Sequence, residues 1–276
     1  SLGNESGTGP AFVAAAAWIR DFDPSRFIHY EGAQGDHTHP DHQDGMGYKS
    51  QTIPTMANPT DPAYVDVHSR MYATHAQLVN MSENPLLDRP VILCEYLHAM
   101  GNSLGGLGEF WDSIRTRPNL IGGYIWDMVD QGLEQHHQPS GQKFFAYGGD
   151  FGDVPNSGNF CFNGVFDSNR LPNPHAYECR YIFQPATFTG FDLQKGIVRI
   201  TNRFNFTNLN QYKIRWTISE NGKELQRGNL PPLNIDPYTY ADVQIPFKKV
   251  TFKPEAEYWL RLSLHEISDR LWCKKG

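Results

Sequence analysis

Residues 90–103 read PVILCEYLHAMGNS. Four apolar residues, Val91 to Cys94, lead without a break into Glu95 and Tyr96. A short continuous apolar run of this kind suits a strand buried on both faces, and Glu95 then stands at its C-terminal end. Three further stretches repeat the plan: FIHYEG at 27–32, VHSRMY at 67–72 and GGYIWD at 122–127, ending near Glu31, Tyr72 and Asp127. Between them the pattern predicts helices around Phe12–Phe22, Tyr72–Met81 and Leu104–Arg115. Buried strands alternating with helices imply a parallel sheet covered on both sides, and a parallel β/α barrel carries its working groups at the C-terminal strand ends. The opening SLGNESGTG puts Glu5 in the same slot, after the tail of a fifth strand at Ser1–Asn4.

Near residue 185 the texture changes. GIVRITNRF, YKIRWTISENGKEL, YADVQIPF and EYWLRLSLHEI alternate with period two, and Asn221-Gly222 is a hairpin signal. The reading is α/β plus all-β: a partial barrel over 1–184 and an antiparallel, immunoglobulin-like β-sandwich over 185–276.

Composition narrows the partners. The chain has 276 residues, a formal net charge of -6, and interspersed acids and bases, which disfavours nucleic acid. No apolar run approaches the ~20 residues that span a bilayer, and no basic-then-apolar leader opens the chain. The four cysteines, Cys94, Cys161, Cys179 and Cys273, lack CxxC spacing and read as mostly buried thiols. A small neutral ligand fits best.

Two strand-end carboxylates, Glu5 and Glu95, among aromatic residues suit a sugar. Rings stack on its C–H face while one acid protonates the leaving oxygen and the other attacks or stabilises the anomeric carbon. A lone strand-end glutamate is also a common cap or surface group. Six stretches set that simpler reading aside: SLGNESGTG, YEG, ILCEYLHAMGNSLGG, GGYIWDMVDQG, AYGGDFGD and NFCFNG. In order and spacing they resemble the family 2 glycoside hydrolases of the long bacterial β-galactosidase type, with the following sandwich resembling the next domain of that family.

The resemblance implies roles residue by residue. Glu5 is the general acid/base and Asn4 contacts the sugar 2-hydroxyl. Glu95 is the nucleophile, assisted by Tyr72. His98 binds galactosyl hydroxyls and Trp126 walls the galactose pocket. The Phe160 carbonyl and the Asn163 side chain are sodium ligands, and Glu5 also helps to hold magnesium, both ligand sets being incomplete in this stretch. Met128 stands where an aromatic residue is common in the family, so the resemblance says less about a second sugar subsite. A retaining mechanism places the two carboxyls ~5–5.5 Å apart. Their acidities are expected to differ, with Glu95 kept ionised by hydrogen bonds and Glu5 kept protonated by burial.

The implied activity is hydrolysis of terminal β-galactosides such as lactose. The alternatives are a related β-glucuronidase or β-mannosidase, or a non-catalytic carbohydrate-binding piece. With barrel strands 4–8 alone, the expectation is a fragment of a longer protein, truncated in its last sandwich strand and inactive by itself. Its parent is expected to be a homo-oligomer in the cytoplasm, with the periplasm or secretion as alternatives. Outside these motifs, His37, His39 and His42, set among Asp36, Asp41 and Asp44, have a spacing a divalent metal could use, although a solvated loop explains it equally. Glu31 is a candidate hydrogen-bond support for a reacting group, with capping as the alternative. Asp127 and Asp130 read as loop anchors or substrate contacts alike.

Overall fold

A computed structural model describes residues 1–35, 61–85, 87–192 and 195–275. The chain divides into two units, Ser1–Ile182 and Phe183–Gly276. The histidine-rich segment with His37, His39, His42, Asp36, Asp41 and Asp44 lies outside the described residues.

The first unit is built on three parallel strands, β1 (His68–Met71), β2 (Val91–Tyr96) and β3 (Leu120–Ile125), in the order β1-β2-β3. Helix α1 (Pro10–Phe22) starts on a proline, whose fixed φ suits the first turn. Helix α2 (His75–Glu83) begins later than the sequence suggests. Tyr72 takes a left-handed φ of 52°, which no helix interior accepts, and Thr74 caps the helix in a reciprocal box with Gln77. Helix α3 (Leu107–Thr116) turns Leu107, Phe110 and Ile114 inward. They meet Leu78 and Met81 of α2 and Leu93 and Tyr96 of β2 in one apolar cluster. Each such side chain contributes about 1.5–3 kcal/mol by leaving water.

The stretch at 27–32 is not the strand its sequence suggests. Leu2 donates to the His29 carbonyl at 3.1 Å and Asp66 to the Ile28 carbonyl at 2.8 Å, so the segment keeps a strand's place between its neighbours. No ladder forms, because the Asp66 carboxylate takes the Ile28 N–H at 2.7 Å, and Glu31–Gly35 closes into a 3-10 helix. The sequence pattern does not announce the hairpin of β4 (Leu133–His136) and β5 (Lys143–Ala146), helix α4 (Pro174–Ile182) or the strand Ala186–Asp192.

Strand β2 is bulged at its working end. Along β1, Arg70 faces Leu93 and Met71 faces Glu95; along β3, Gly123 faces Leu93 and Ile125 faces Tyr96. One additional residue therefore sits in β2 between Leu93 and Tyr96, against both neighbours. Such a bulge re-aims the side chains beside it. Gly123 lies so close that a Cβ there would come within 2.9 Å of Leu93 Cβ and 3.1 Å of its carbonyl oxygen.

Beneath this end lies a buried charge network. Asp61, Arg70 and His68 are all below 5% exposed. Arg70 donates to both Asp61 oxygens, at 2.9 and 2.7 Å, and His68 Nδ1 sits 3.1 Å from Asp61 Oδ2. Burial opposes ionisation of Asp61, yet the Arg70 charge and the bonds from His68 and Arg70 outweigh it and hold this carboxyl well below the usual range.

The second unit has two antiparallel sheets. One has the order β10-β7-β6, formed by β6 (Ala186–Asp192), β7 (Ile197–Asn202) and β10 (Tyr240–Gln244). The other has the order β11-β8-β9, formed by β8 (Tyr212–Glu220), β9 (Lys223–Asn229) and β11 (Tyr258–Glu266). Val198 and Ile200 of the first sheet share a core with Ile214, Trp216 and Ile218 of the second. Asn221 and Gly222, at φ 47° and 79°, make the two-residue turn their sequence announces. The thiols are free but not mostly buried: Cys179 is buried, Cys94 and Cys161 are half-buried, and Cys273 is exposed.

Two substitutions test these constraints. Arg70→Ala leaves the buried Asp61 carboxylate without its guanidinium and should cost about 3–5 kcal/mol, read from urea unfolding at neutral pH. Gly123→Ala should cost about 1–3 kcal/mol through overpacking beside the bulge, read from the same midpoint.

Candidate active site

Glu95 reaches the end of β2 through the bulge, and its carbonyl accepts the backbone N–H of Tyr72 at 2.8 Å. Tyr72 leaves β1 with its ring partly exposed, and its hydroxyl comes within hydrogen-bonding reach of the Glu95 carboxylate. The phenol is raised far above its usual range by burial, then by that hydrogen bond and the charges of Glu95 and Glu5. Glu5 projects from the exposed loop after Ser1–Asn4 at a left-handed φ of 46°. Its backbone N–H donates to the buried Glu31 carboxylate at 2.5 Å.

Glu5, Glu31, Tyr72 and Glu95 therefore share one electrostatic field. The Glu95 carboxyl is raised above its ordinary value, first by burial and further by the charges of Glu5 and Glu31, with the Tyr72 hydrogen bond pulling the other way. This departs from the expectation of a simply ionised Glu95 beside a buried Glu5. Here Glu5 is the exposed carboxylate and Glu95 the half-buried one, so the burial cost falls on Glu95.

Aromatic rings border the pair. The His98 ring stacks on Phe160 at 5.3 Å between centroids and lies 6.2 Å from that of Tyr72. His98 Nε2 is buried with no hydrogen-bond partner among the described residues. Trp126, half-buried after β3, is tied to the loop after β2: its N–H donates to the Tyr96 carbonyl at 3.3 Å and its carbonyl accepts from Ala99 at 2.7 Å. A cis peptide joins it to Asp127. Asn4 is exposed, and its carbonyl accepts from the Ser6 hydroxyl at 2.7 Å.

The Phe160–Asn163 turn is set by its surroundings. Asp127 N–H donates to the Asn163 carbonyl at 2.8 Å, and Asp130 Oδ1 accepts from Gly164 N–H at 2.7 Å. Gly164 has no room for a side chain, since a Cβ would lie 2.1 Å from the Asp130 backbone nitrogen. Asp130 thus anchors a loop. Asp127 accepts from Gln131 at 2.6 Å through Oδ2 and keeps Oδ1 buried without a partner.

The cation expectations divide on chemistry. Asn163 is 2% exposed, donates through Nδ2 to the Phe160 carbonyl at 3.1 Å, and leaves Oδ1 buried and unpartnered. Two oxygen donors in one turn, one of them orphaned, fit a hard monovalent cation. Magnesium fits less well. Glu5 brings one carboxylate, but no three His, Cys, Asp or Glu side chains among the described residues converge as a metal set.

Sequence reasoning names Glu31 as a hydrogen-bond support but not Tyr30, whose hydroxyl accepts from Ser6 N–H at 3.0 Å and donates to the Gly7 carbonyl at 2.6 Å. The dipeptide preceding Gly32 was the available signal.

Comparison with known proteins follows the same outline. Residues 1–188 match the family model for the glycosyl hydrolases family 2, TIM barrel domain, and residues 198–276 match that for beta-galactosidase, domain 4. The chain is 38% identical over 277 residues to a beta-galactosidase of Alteromonas mediterranea, covering 100% of this chain and 25% of the relative. Against beta-galactosidases of Photobacterium profundum and Aeromonas hydrophila it is 38% identical over 281 residues and 36% over 287, again covering 100% of this chain and 25% of each relative. The chain spans about a quarter of the length of these curated relatives. With a TIM-barrel family domain followed by a β domain, it belongs to glycoside hydrolase family 2.

Proposed function

We propose that this chain supplies the reacting carboxylates of a retaining β-galactosidase that cleaves terminal β-D-galactosides. One observation carries the reading: the Tyr72 hydroxyl, Glu95 and Glu5 lie close enough to shift one another's acidity, so nucleophile, assistant and acid/base candidates lie in one field. The beta-galactosidase relatives give the sugar.

In the first step the Glu95 carboxylate attacks the anomeric carbon while Glu5 gives its proton to the departing aglycone oxygen. In the second, Glu5 takes a proton from water as that water displaces Glu95. The Tyr72 hydroxyl orients Glu95 and offsets part of its desolvation. His98, with its unpartnered Nε2, and half-buried Trp126 bind the sugar, the first by hydrogen bond and the second by stacking. Asn4 reaches the 2-hydroxyl. A sodium ion, when bound, would be held by the Phe160 carbonyl and Asn163 and supplies a positive centre for sugar oxygens. Magnesium, when bound, would draw on Glu5; among the described residues no three such side chains converge as a metal set, and no step runs through it. The second unit we read as an immunoglobulin-like sandwich, on its two sheets sharing one core.

The test uses the full reading frame that carries this chain. An activated 2-deoxy-2-fluoro-β-galactoside should label the peptide containing Glu95, seen by mass spectrometry. Glu95→Gln should lose the label and about 10⁴-fold or more of the rate. Label on another carboxylate, or equal rates in the two proteins, would remove Glu95 from the role. Tyr72→Phe deletes the bond that lowers the Glu95 carboxyl. Since the nucleophile works ionised, the acid limb of kcat/KM should move to higher pH.

A further inference from the structure

Two adjacent buried residues hold three consecutive residues of the loop that presents Glu5. The Glu31 carboxylate, 1% exposed, accepts the Glu5 N–H at 2.5 Å. The Tyr30 hydroxyl accepts from Ser6 N–H at 3.0 Å and donates to the Gly7 carbonyl at 2.6 Å. Tyr30 is itself immobilised. Its ring stacks on Phe12 of α1 at 4.4 Å with 13° between planes, and a Cβ on Gly32 would come within 2.5 Å of it. Glu5 meanwhile holds a φ of 46°, a region sparsely occupied by residues other than glycine. Such a conformation persists only where its surroundings over-determine it. A charge-assisted bond from a buried carboxylate to the backbone N–H of that very residue is a strong restraint of this kind.

We infer that Glu31, braced by Tyr30, is a positioning residue for the Glu5 carboxyl: it fixes the Glu5 backbone so that the side chain points at the aglycone oxygen. The inference rests on the reading of Glu5 as the acid/base. It makes a chemical distinction that mere support of the fold does not. Proton donation matters when the aglycone is a poor leaving group, and hardly at all when it departs as a stable anion.

The experiment compares kcat/KM for lactose and for dinitrophenyl β-galactoside in the full protein and in Glu31→Ala. The variant should lose about 10²-fold on lactose and stay within roughly threefold on the dinitrophenyl substrate. Its slowed turnover of the glycosyl-enzyme should be relieved by azide, which attacks the anomeric carbon, releases Glu95 as carboxylate and gives β-galactosyl azide with no proton transfer. Glu31→Gln keeps an acceptor for the Glu5 N–H and should recover most of the lactose activity. Tyr30→Phe should show the same substrate bias in milder form, which keeps the test alive if Glu31→Ala does not fold. Equal losses on both substrates, no loss on either, or a Gln variant as impaired as Ala would overturn the inference. A crystal structure of the Glu31→Ala, Tyr30→Phe double variant, which removes both acceptors, decides it without any substrate. Glu5 retained at left-handed φ in the double variant overturns the clamp, and Glu5 displaced supports it. If the unaltered protein cleaves neither galactoside, the galactosidase reading falls, while that crystallographic result still stands for or against the clamp.

Discussion

The site depends on one additional residue in a strand. Between Leu93 and Tyr96, β2 is longer by one position than both β1 and β3, and this slip brings Glu95 opposite Met71 and beside Tyr72. A regular strand would alternate its side chains strictly between the two faces. The bulge breaks that alternation where a carboxylate must leave the core and enter the mouth. Gly123 gives the slip room on one side, and the Tyr72 N–H fastens it on the other through the Glu95 carbonyl. Packing of α2 and α3 against β2 then holds the strand while its end carries the chemistry.

Charge is managed by depth. Deep in the unit, Asp61 is matched by Arg70 with two hydrogen bonds and stays ionised at full burial. At the mouth, Glu5, Glu31 and Glu95 are gathered together, and like charge adds to burial in raising the Glu95 carboxyl. The first arrangement stabilises the fold. The second sets like charges together around a half-buried carboxyl, at a cost in stability.

Much of this was legible in the chain. The strands ending at Met71, Tyr96 and Ile125 announced themselves because buried parallel strands read as unbroken apolar runs, and Asn221-Gly222 because positive φ at two successive positions demands such residues. The stretch at Phe27 misled, since its apolar texture is that of a strand while a side chain, Asp66, takes the ladder's hydrogen bond. The β4–β5 hairpin carries no alternation to read: β4 is exposed throughout, and β5 is an apolar run from Phe144 to a buried Ala146. The bulge was invisible for a deeper reason: periodicity over six residues cannot register a slip of one. The Glu31 carboxylate was noticed but its partner was not, because a backbone N–H has no letter in the sequence.

The slip in β2 also governs which genetic accidents the segment can survive. Loss of a single codon between Leu93 and Tyr96 would restore a regular ladder and could leave a well-packed sheet, yet the carboxylate would be erased or turned toward the opposite face. A substitution at Cys94 would leave the slip in place, whereas a one-codon deletion would yield a folded protein with its strand end re-aimed.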